Sequence, residues 1–446
     1  MKIALISMNG IRANDKELLR LGLNLPGFVE RSRAIASLPS LGLLTLAALT
    51  PDIHEQTYIE VPDINEMEQL PQGYDLAAIS CFSAQIGEAY ELADRLRAAG
   101  TKVVMGGNHV SAETEEALAH SDCVMIGEGE LFWSSMLADC ESGNLKETYG
   151  SMFGNFNLAD APLPAYGLLD PSKYNRVTVQ ASRGCPMRCE FCASSVLYTR
   201  KYKQKPKELV LAEIRQLKAM FPRPFVEFVD DNTFVDKRYW KELLPELAEL
   251  EIRWFAETDV SVADDPEMLE SMRKAGCKQV LIGFESPVED GLNGIELNSN
   301  WKAKRWGKYK QAIQKIQSHG IRVIACFAVG LDGQNKGIFN AVLEFVTEAT
   351  PFDVQITVPT AFPGTPYYRR LLAEDRLIEP RAWSKCTLFD VNFKPTGMEA
   401  EELAAGFRRL GVELYADKMM RHRREGFMRQ WKDNIICRRR AQKEAI

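Results

Sequence analysis

Apolar positions along the chain fall into two runs of alternating strands and helices. In the first run, Lys2–Ser7, Gln56–Val61, Leu76–Ser80, Lys102–Met105 and Cys123–Ile126 read as strands. Helical spacing at Gly42–Leu49, Ile86–Ala98 and Glu113–Ala119 separates them. Such alternation predicts an α/β unit over residues 1–150, a parallel sheet with helices on both faces. Its strand-end turns are glycine-rich, at Gly106-Gly107 and Gly127-Glu128-Gly129-Glu130. Ligands of such sheets bind beyond the carboxyl ends of the strands. A linker at 151–172 carries several prolines between Leu158 and Pro171.

The second run predicts strands at Arg176–Ala181, Phe225–Val229, Arg253–Ala256, Gln279–Phe284, Arg322–Val329 and Val354–Val358. Helices are expected at Glu208–Met220, Arg238–Leu250, Pro266–Ala275, Lys308–Ser318 and Gly337–Ala349. These repeats, over residues 173–375, suit a partial (β/α)6 barrel of TIM type with its chemistry at the strand carboxyl ends. Polar residues collect there: Asp230-Asp231-Asn232, Glu257-Thr258-Asp259, Glu285-Ser286 and Gly330-Leu331-Asp332. Residues 376–446 are expected to form a helical carboxy-terminal region ending in the basic stretch Lys418–Arg440, read as a solvated tail, with an amphipathic contact to a partner or a membrane surface as the alternative. Trp383, Phe389, Phe393 and Phe407 read as core, with a cover over the barrel mouth as the alternative.

Composition narrows the class. The 446 residues are 46% apolar and 26% charged, with a net charge of −6 that gives no reason to expect nucleic acid. No transmembrane segment is expected, since apolar runs are short and broken by charges. The apolar start at Met1–Ser7 is too short for a signal peptide, which predicts a cytoplasmic protein. Of the ten cysteines, Cys81, Cys123, Cys140, Cys277, Cys326, Cys386 and Cys437 are scattered and read as small core residues. The other three lie in Ser182-Arg183-Gly184-Cys185-Pro186-Met187-Arg188-Cys189-Glu190-Phe191-Cys192. In a reducing compartment such a cluster points to metal chemistry. A cubane iron–sulfur cluster usually takes four thiolates, so three leave one iron open to substrate. Structural zinc would draw a second pair of ligands, and none is near.

Cys185, Cys189 and Cys192, with Phe191 before the last, resemble the radical S-adenosylmethionine (SAM) superfamily signature. The resemblance implies a [4Fe-4S] cluster whose open iron chelates the methionine moiety of SAM. Reduction then gives a 5′-deoxyadenosyl radical, and Phe191 packs beside the adenine. Phe228-Val229-Asp230-Asp231-Asn232 and Gly283-Phe284-Glu285-Ser286 resemble the second and fourth strand ends of that family. They make Asp230, Asp231, Glu285 and Ser286 candidate SAM contacts, with Glu257 and Asp259 from the third strand. For Glu285 a structural hydrogen bond is the equal alternative. Phe362-Pro363-Gly364-Thr365-Pro366 resembles a loop after the sixth strand, as a turn or a ligand contact.

The first unit resembles a Rossmann-like cobalamin-binding domain. The similarity lies in Asp75–Ser80, Val103–His109, Val124–Glu130 and the helix start Ser37-Leu38-Pro39-Ser40-Leu41-Gly42. It implies cobalamin contacts from Ser40, Leu41, Gly42, Ser80, Gly106, Gly107, His109, Gly127, Glu128 and Glu130. One feature departs from the better-known domains: Asn9-Gly10-Ile11-Arg12-Ala13-Asn14 holds no His to ligate cobalt. His54 mimics that motif, lacks its Gly, and reads as a surface or loop residue. A degenerate domain without cobalamin is the alternative.

Together the motifs imply a cobalamin-dependent radical SAM enzyme that methylates a carbon centre of a small-molecule intermediate. Its expected partners are that substrate and an electron donor such as flavodoxin or ferredoxin. The alternatives are rearrangement, cyclisation or oxygenation with the same cofactors, a cobalamin or cluster sensor, and modification of a peptide or RNA.

Overall fold

The computed structural model describes residues 1–8, 10–20, 24–25, 38–194 and 201–444, with the side chains of 24–25 and 437–444 left out. Asn9, Ser37 and the Cys437 side chain lie outside the described residues. The chain divides into two compact units, Met1–Pro224 with Thr360–Asn392, and Phe225–Pro359 with Phe393–Ile446. This division differs from the expected boundaries: the cysteine loop and the segment after the last barrel strand group with the first unit.

In the first unit, β1 (Lys2–Met8), β2 (Glu55–Glu60), β3 (Leu76–Cys81), β4 (Lys102–Gly106), β5 (Cys123–Gly127) and β6 (Thr148–Ser151) form one sheet. The order is β2-β1-β3-β4-β5-β6, parallel throughout. Only β6 was not expected; its polar Thr148-Tyr149-Gly150-Ser151 carries no apolar run. Side chains alternate between two cores. Ala4, Ile6, Ala77, Ile79, Val103, Met105 and Val124 face α2 (Ile86–Ala98), while Ile3, Leu5, Leu76, Ala78, Val104 and Met125 face α1 (Leu41–Ala48) and α4 (Trp133–Glu141). Both faces are therefore dry, and polar chemistry is confined to the carboxyl edge. That edge carries the switch point, where the chain leaves β1 for β2 on one side and β3 on the other. Between α2 and α4 lies α3 (Thr114–His120). Trp383 and Cys386 complete the α2-side core.

β7 (Val177–Val179) belongs to the first unit and is buried throughout. A two-residue antiparallel pair, Ser182–Arg183 with Lys203–Gln204, closes the base of the cysteine loop, and α5 (Lys207–Met220) follows.

The second unit holds β8 (Phe225–Phe228), β9 (Arg253–Thr258), β10 (Cys277–Glu285), β11 (Arg322–Ala328) and β12 (Asp353–Thr357), parallel neighbours in chain order. Between them run α6 (Lys237–Glu249), α7 (Pro266–Lys274), α8 (Tyr309–Ser318) and α9 (Ile338–Ala349). One sheet face is aromatic and aliphatic: Phe228 and Trp254 pack on Trp240 of α6, and Phe284 and Phe327 on Tyr309 and Phe345 of α8 and α9. The other face carries Glu227, Glu257, Gly283, Cys326 and Gln355. With the strand β7, this strand–helix order bears out the partial barrel; α10 (Pro366–Ala373), α11 (Ala400–Tyr415) and α12 (Asp417–Glu444) supply the helical remainder. Arg423 of α12 is buried, donating to the Leu414 carbonyl at 2.5 Å and to Asp353 at 3.1 Å, so the basic stretch is solvated only in part. Trp383, Phe389, Phe393 and Phe407 are all buried, as core residues.

At the end of β5, Gly127 has φ +76°, and a Cβ there would lie 2.2 Å from the Ser151 carbonyl oxygen. We expect Gly127→Ala to lose about 2–3 kcal/mol of stability through clash and backbone strain. Urea unfolding measures this; a loss under about 0.5 kcal/mol would contradict the tight β5–β6 junction.

Candidate active site

The cysteine loop is held at both feet and at its middle. Arg183, just before Gly184-Cys185, donates to Glu128 Oε1 at 2.7 Å and to Glu130 Oε1 at 2.7 Å. Lys203, at the far foot, lies 2.8 Å from both Glu128 oxygens. Burial alone would raise the Glu128 pKa; Lys203, the Phe156 amide and Arg183 together outweigh it and hold the carboxyl below its ordinary value. Midway, Glu190 pairs with Arg370 of α10 at 2.5 Å and accepts the Tyr367 amide through its carbonyl at 3.1 Å. Cys189 is buried, Cys185 and Cys192 are half-buried, and none of the three is in a disulfide. The Cys192 amide donates to the Cys189 carbonyl at 3.0 Å, a tight turn around Phe191.

Among the described residues no three His, Cys, Asp or Glu side chains converge on a single metal ion. A cubane makes a different demand, because each thiolate takes its own iron. Three cysteines outside any disulfide, two of them half-buried, in one pinned loop fit that donor set.

The open edge of the first sheet brings several expected cobalamin residues together. Register places Ser80 beside Gly106. A Cβ on Gly106 would meet only the Met125 Cβ, at 3.7 Å, and one on Gly42 nothing within 4 Å. Ser40 caps α1, accepting the Leu43 amide at 3.5 Å, with Leu41 and exposed Gly42 in its first turn. Phe82, Leu131 and Phe153, which follow β3, β5 and β6, are 54%, 44% and 44% exposed. Unobstructed glycines and bared apolar side chains on one edge fit a large flat ligand.

Three residues from the cobalamin expectation stand elsewhere. His109 is 1% exposed, its ring 5.2 Å from Trp383 and its Nε2 3.7 Å from Glu116, so its ring is closed into the interior. Burial pushes its pKa down to about 4. Glu128 and Glu130 are committed to Arg183 and Lys203. His54 corrects the surface reading: it is buried, with Nδ1 3.2 Å from the chain's amino terminus. That terminus must sit against β2 to start the sheet, and it brings its own polar partner.

In the second unit the expected SAM residues divide. Asp259 is a structural cap: it accepts the Ser261 amide at 2.7 Å and the Asn232 side-chain amide at 2.8 Å. Ser286 is wholly buried and donates to the Val288 carbonyl at 2.8 Å, and Asp230 is buried. Glu285, with φ +62°, lies 2.5 Å from the Lys302 ammonium, which also donates to the Gly283 carbonyl at 3.0 Å. Lys302 was not visible in the sequence, standing beyond β10 in a stretch with no motif. Glu257 reaches solvent from the polar sheet face, yet protein crowds it on that face. Burial first, then the like charges of Glu227 and Asp231, raise its carboxyl to about 7. Glu227 also escaped sequence reading, because it lies within a strand rather than beyond its end, and Cys326, read as a small core residue, stands on the same polar face.

Comparison with known proteins bears on both units. Residues 179–346 match the Radical SAM superfamily, 36–133 the B12 binding domain, and 365–445 a domain of unknown function. The bacteriochlorophyllide d C-12(1)-methyltransferase of Chlorobaculum tepidum is 28% identical over 88% of this chain and 86% of its own. The hopanoid C-2 methylase of Rhodopseudomonas palustris is 27% identical over 77% of this chain and 66% of its own. The structure of the radical SAM methyltransferase TsrM from Kitasatospora setae, with cobalamin and a [4Fe-4S] cluster bound, has a TM-score of 0.63 at 14% identity. It covers 84% of this chain and 75% of that one, a shared fold.

Glu257 gives a pH test. Its folded pKa of about 7 exceeds the ordinary 4.5, so the folded state holds an extra proton between those values. Its contribution to stability is greatest below the ordinary carboxylate pKa and is lost as pH rises through the folded one. Glu257→Gln removes that loss. Thermal midpoints across this window should move in the variant's favour as pH rises, and a constant difference would show that Glu257 titrates normally.

Proposed function

We propose that this chain, which belongs to the cobalamin-dependent radical SAM methyltransferase family, methylates a carbon centre of a small-molecule biosynthetic intermediate. The carrying observation is one chain with both a pinned loop of three cysteines outside any disulfide and an open, glycine-lined sheet edge of a B12-binding domain. When bound, the cluster supplies the electron that splits SAM into a hydrogen-abstracting radical, and cobalamin carries the methyl group.

The protein's own part is placement. Cys185, Cys189 and Cys192 would hold the cluster. Phe191, Asp231, Glu257 and Glu285 are the accessible candidates for SAM, with Lys302 fixing the Glu285 side chain. Ser40, Leu41, Gly42, Ser80, Gly106 and Gly107 would line the corrin. Near pH 7 Glu257 exists partly as a neutral carboxyl, able to donate a hydrogen bond as well as accept one. Holding the substrate carbon in one geometry and excluding water are what such a site must supply. The reaction calls for a low-potential donor of the flavodoxin or ferredoxin kind and a reducing compartment, the cytoplasm. No disulfide joins the described cysteines, which suits that compartment, and no described helix is long and apolar enough to cross a membrane.

Anaerobic reconstitution should give about four irons per chain, as a cubane requires, together with retained cobalamin. Replacing Cys185, Cys189 or Cys192 with Ala should abolish release of 5′-deoxyadenosine from SAM. Release from an iron-loaded triple variant would overturn the cluster assignment. Lack of a methylated product from a wild type that releases 5′-deoxyadenosine on its substrate would overturn methyl transfer.

Gly106→Ala tests the corrin edge separately. The fold tolerates a Cβ there, so weaker binding reports steric exclusion of ligand. We expect cobalamin affinity to fall about tenfold or more, the scale of an overpacked contact. Equilibrium dialysis measures it, and unchanged affinity would place the corrin elsewhere.

A further inference from the structure

The Glu128 side chain has no exposure at all, and a lone buried carboxylate is costly. Three partners meet it in four contacts: Arg183 Nη1 at 2.7 Å, Lys203 Nζ at 2.8 Å to each oxygen, and the Phe156 amide at 2.8 Å. Arg183 and Lys203 are register partners in the two-residue strand pair that closes the cysteine loop. One carboxylate at the carboxyl end of β5 thus grips both feet of the loop that carries Cys185, Cys189 and Cys192. Arg183 is steadied further by Glu130 at 2.7 Å and Gln180 at 3.1 Å, and Lys203 by the Phe156 carbonyl at 3.1 Å.

We propose that Glu128 is a positioning residue that fixes the cysteine loop to the carboxyl edge of the B12-binding sheet, so that radical formation and methyl transfer stay coupled. The proposal rests on the radical methylase reading for its consequence, though not for the clamp itself. Both cofactors act on one substrate carbon, and a displacement near 1 Å costs such a reaction about a hundredfold. A charge-assisted grip on both feet restricts the loop more than a single contact does, because neither foot can swing while the other is held.

The test uses the full-length reconstituted protein. Glu128→Gln keeps the shape and removes the charge. Lys203→Met frees one foot while leaving Glu128 paired with Arg183, so it avoids a bare buried charge and serves if Glu128→Gln does not fold. Hydrogen exchange over residues 182–194 should quicken about tenfold or more in Glu128→Gln, reporting local opening, and by a smaller factor in Lys203→Met. Iron content should be retained. The ratio of 5′-deoxyadenosine to methylated product should rise severalfold, and the reduced-cluster resonance spectrum with SAM should change. Wild-type exchange together with a wild-type ratio in either folded variant would overturn the clamp. If the wild type yields no methylated product, the function reading fails while the exchange comparison still decides the clamp.

Discussion

The first unit is organised around one carboxylate that water cannot reach. Glu128 takes its charge into the protein only because Arg183 and Lys203 meet it there, with the Phe156 amide filling a further lone pair. Ion pairs of this kind are poor sources of net stability, since desolvation cancels most of the attraction. Their use lies in direction: an apolar contact tolerates sliding, whereas a carboxylate shared between a guanidinium and an ammonium defines where both must be. The consequence reaches the thiols, because Arg183 is separated from Cys185 only by Gly184. Glu190 and Arg370 repeat the device at the middle of the loop, so the loop is held by charge at positions where an apolar core could not extend.

Much of this was legible in the sequence, and the limits have physical causes. The strand and helix periodicities located the sheets because buried parallel strands are continuous apolar runs, as in Val103-Val104-Met105. β6 was missed because an edge strand with one flanked side needs no such run. The thiol loop was readable because its chemistry depends on local spacing. The Glu128 pairings were not, although Gly127-Glu128-Gly129-Glu130 and Ser182-Arg183-Gly184 were both noticed separately. The partners stand 55 and 75 residues apart, and nothing local in either motif names the other. The cobalamin reading of Glu128, Glu130 and His109 followed from the resemblance to cobalamin-binding domains, which places the backbone at the strand ends. The direction of each side chain is decided by longer-range partners, Trp383 and Glu116 in the case of His109.

The two sheets solve the problem of placing polar chemistry in opposite ways. The first is dry on both faces, so only its edge is available, and there the decisive residues are small. Gly106 and Gly127 look alike in sequence but do different work. A Cβ at Gly106 would meet only the Met125 Cβ at ordinary contact distance, so the position has room for an approaching group; at Gly127 the space is already filled by the Ser151 carbonyl. The second sheet is covered on one face and bears acids on the other, so its polar positions extend from the strand ends down the strands, through Glu257 to Glu227 and Cys326. The elevated Glu257 pKa follows from that arrangement: burial on the crowded face disfavours the charge first, and the like charges of Glu227 and Asp231 add to it. Asp259 and Ser286, at the strand ends where ligands were expected, instead tie the turns that follow. Strand-end position alone therefore identifies a neighbourhood, and it is the partner of each side chain that separates the residues holding the backbone from those left to meet a ligand.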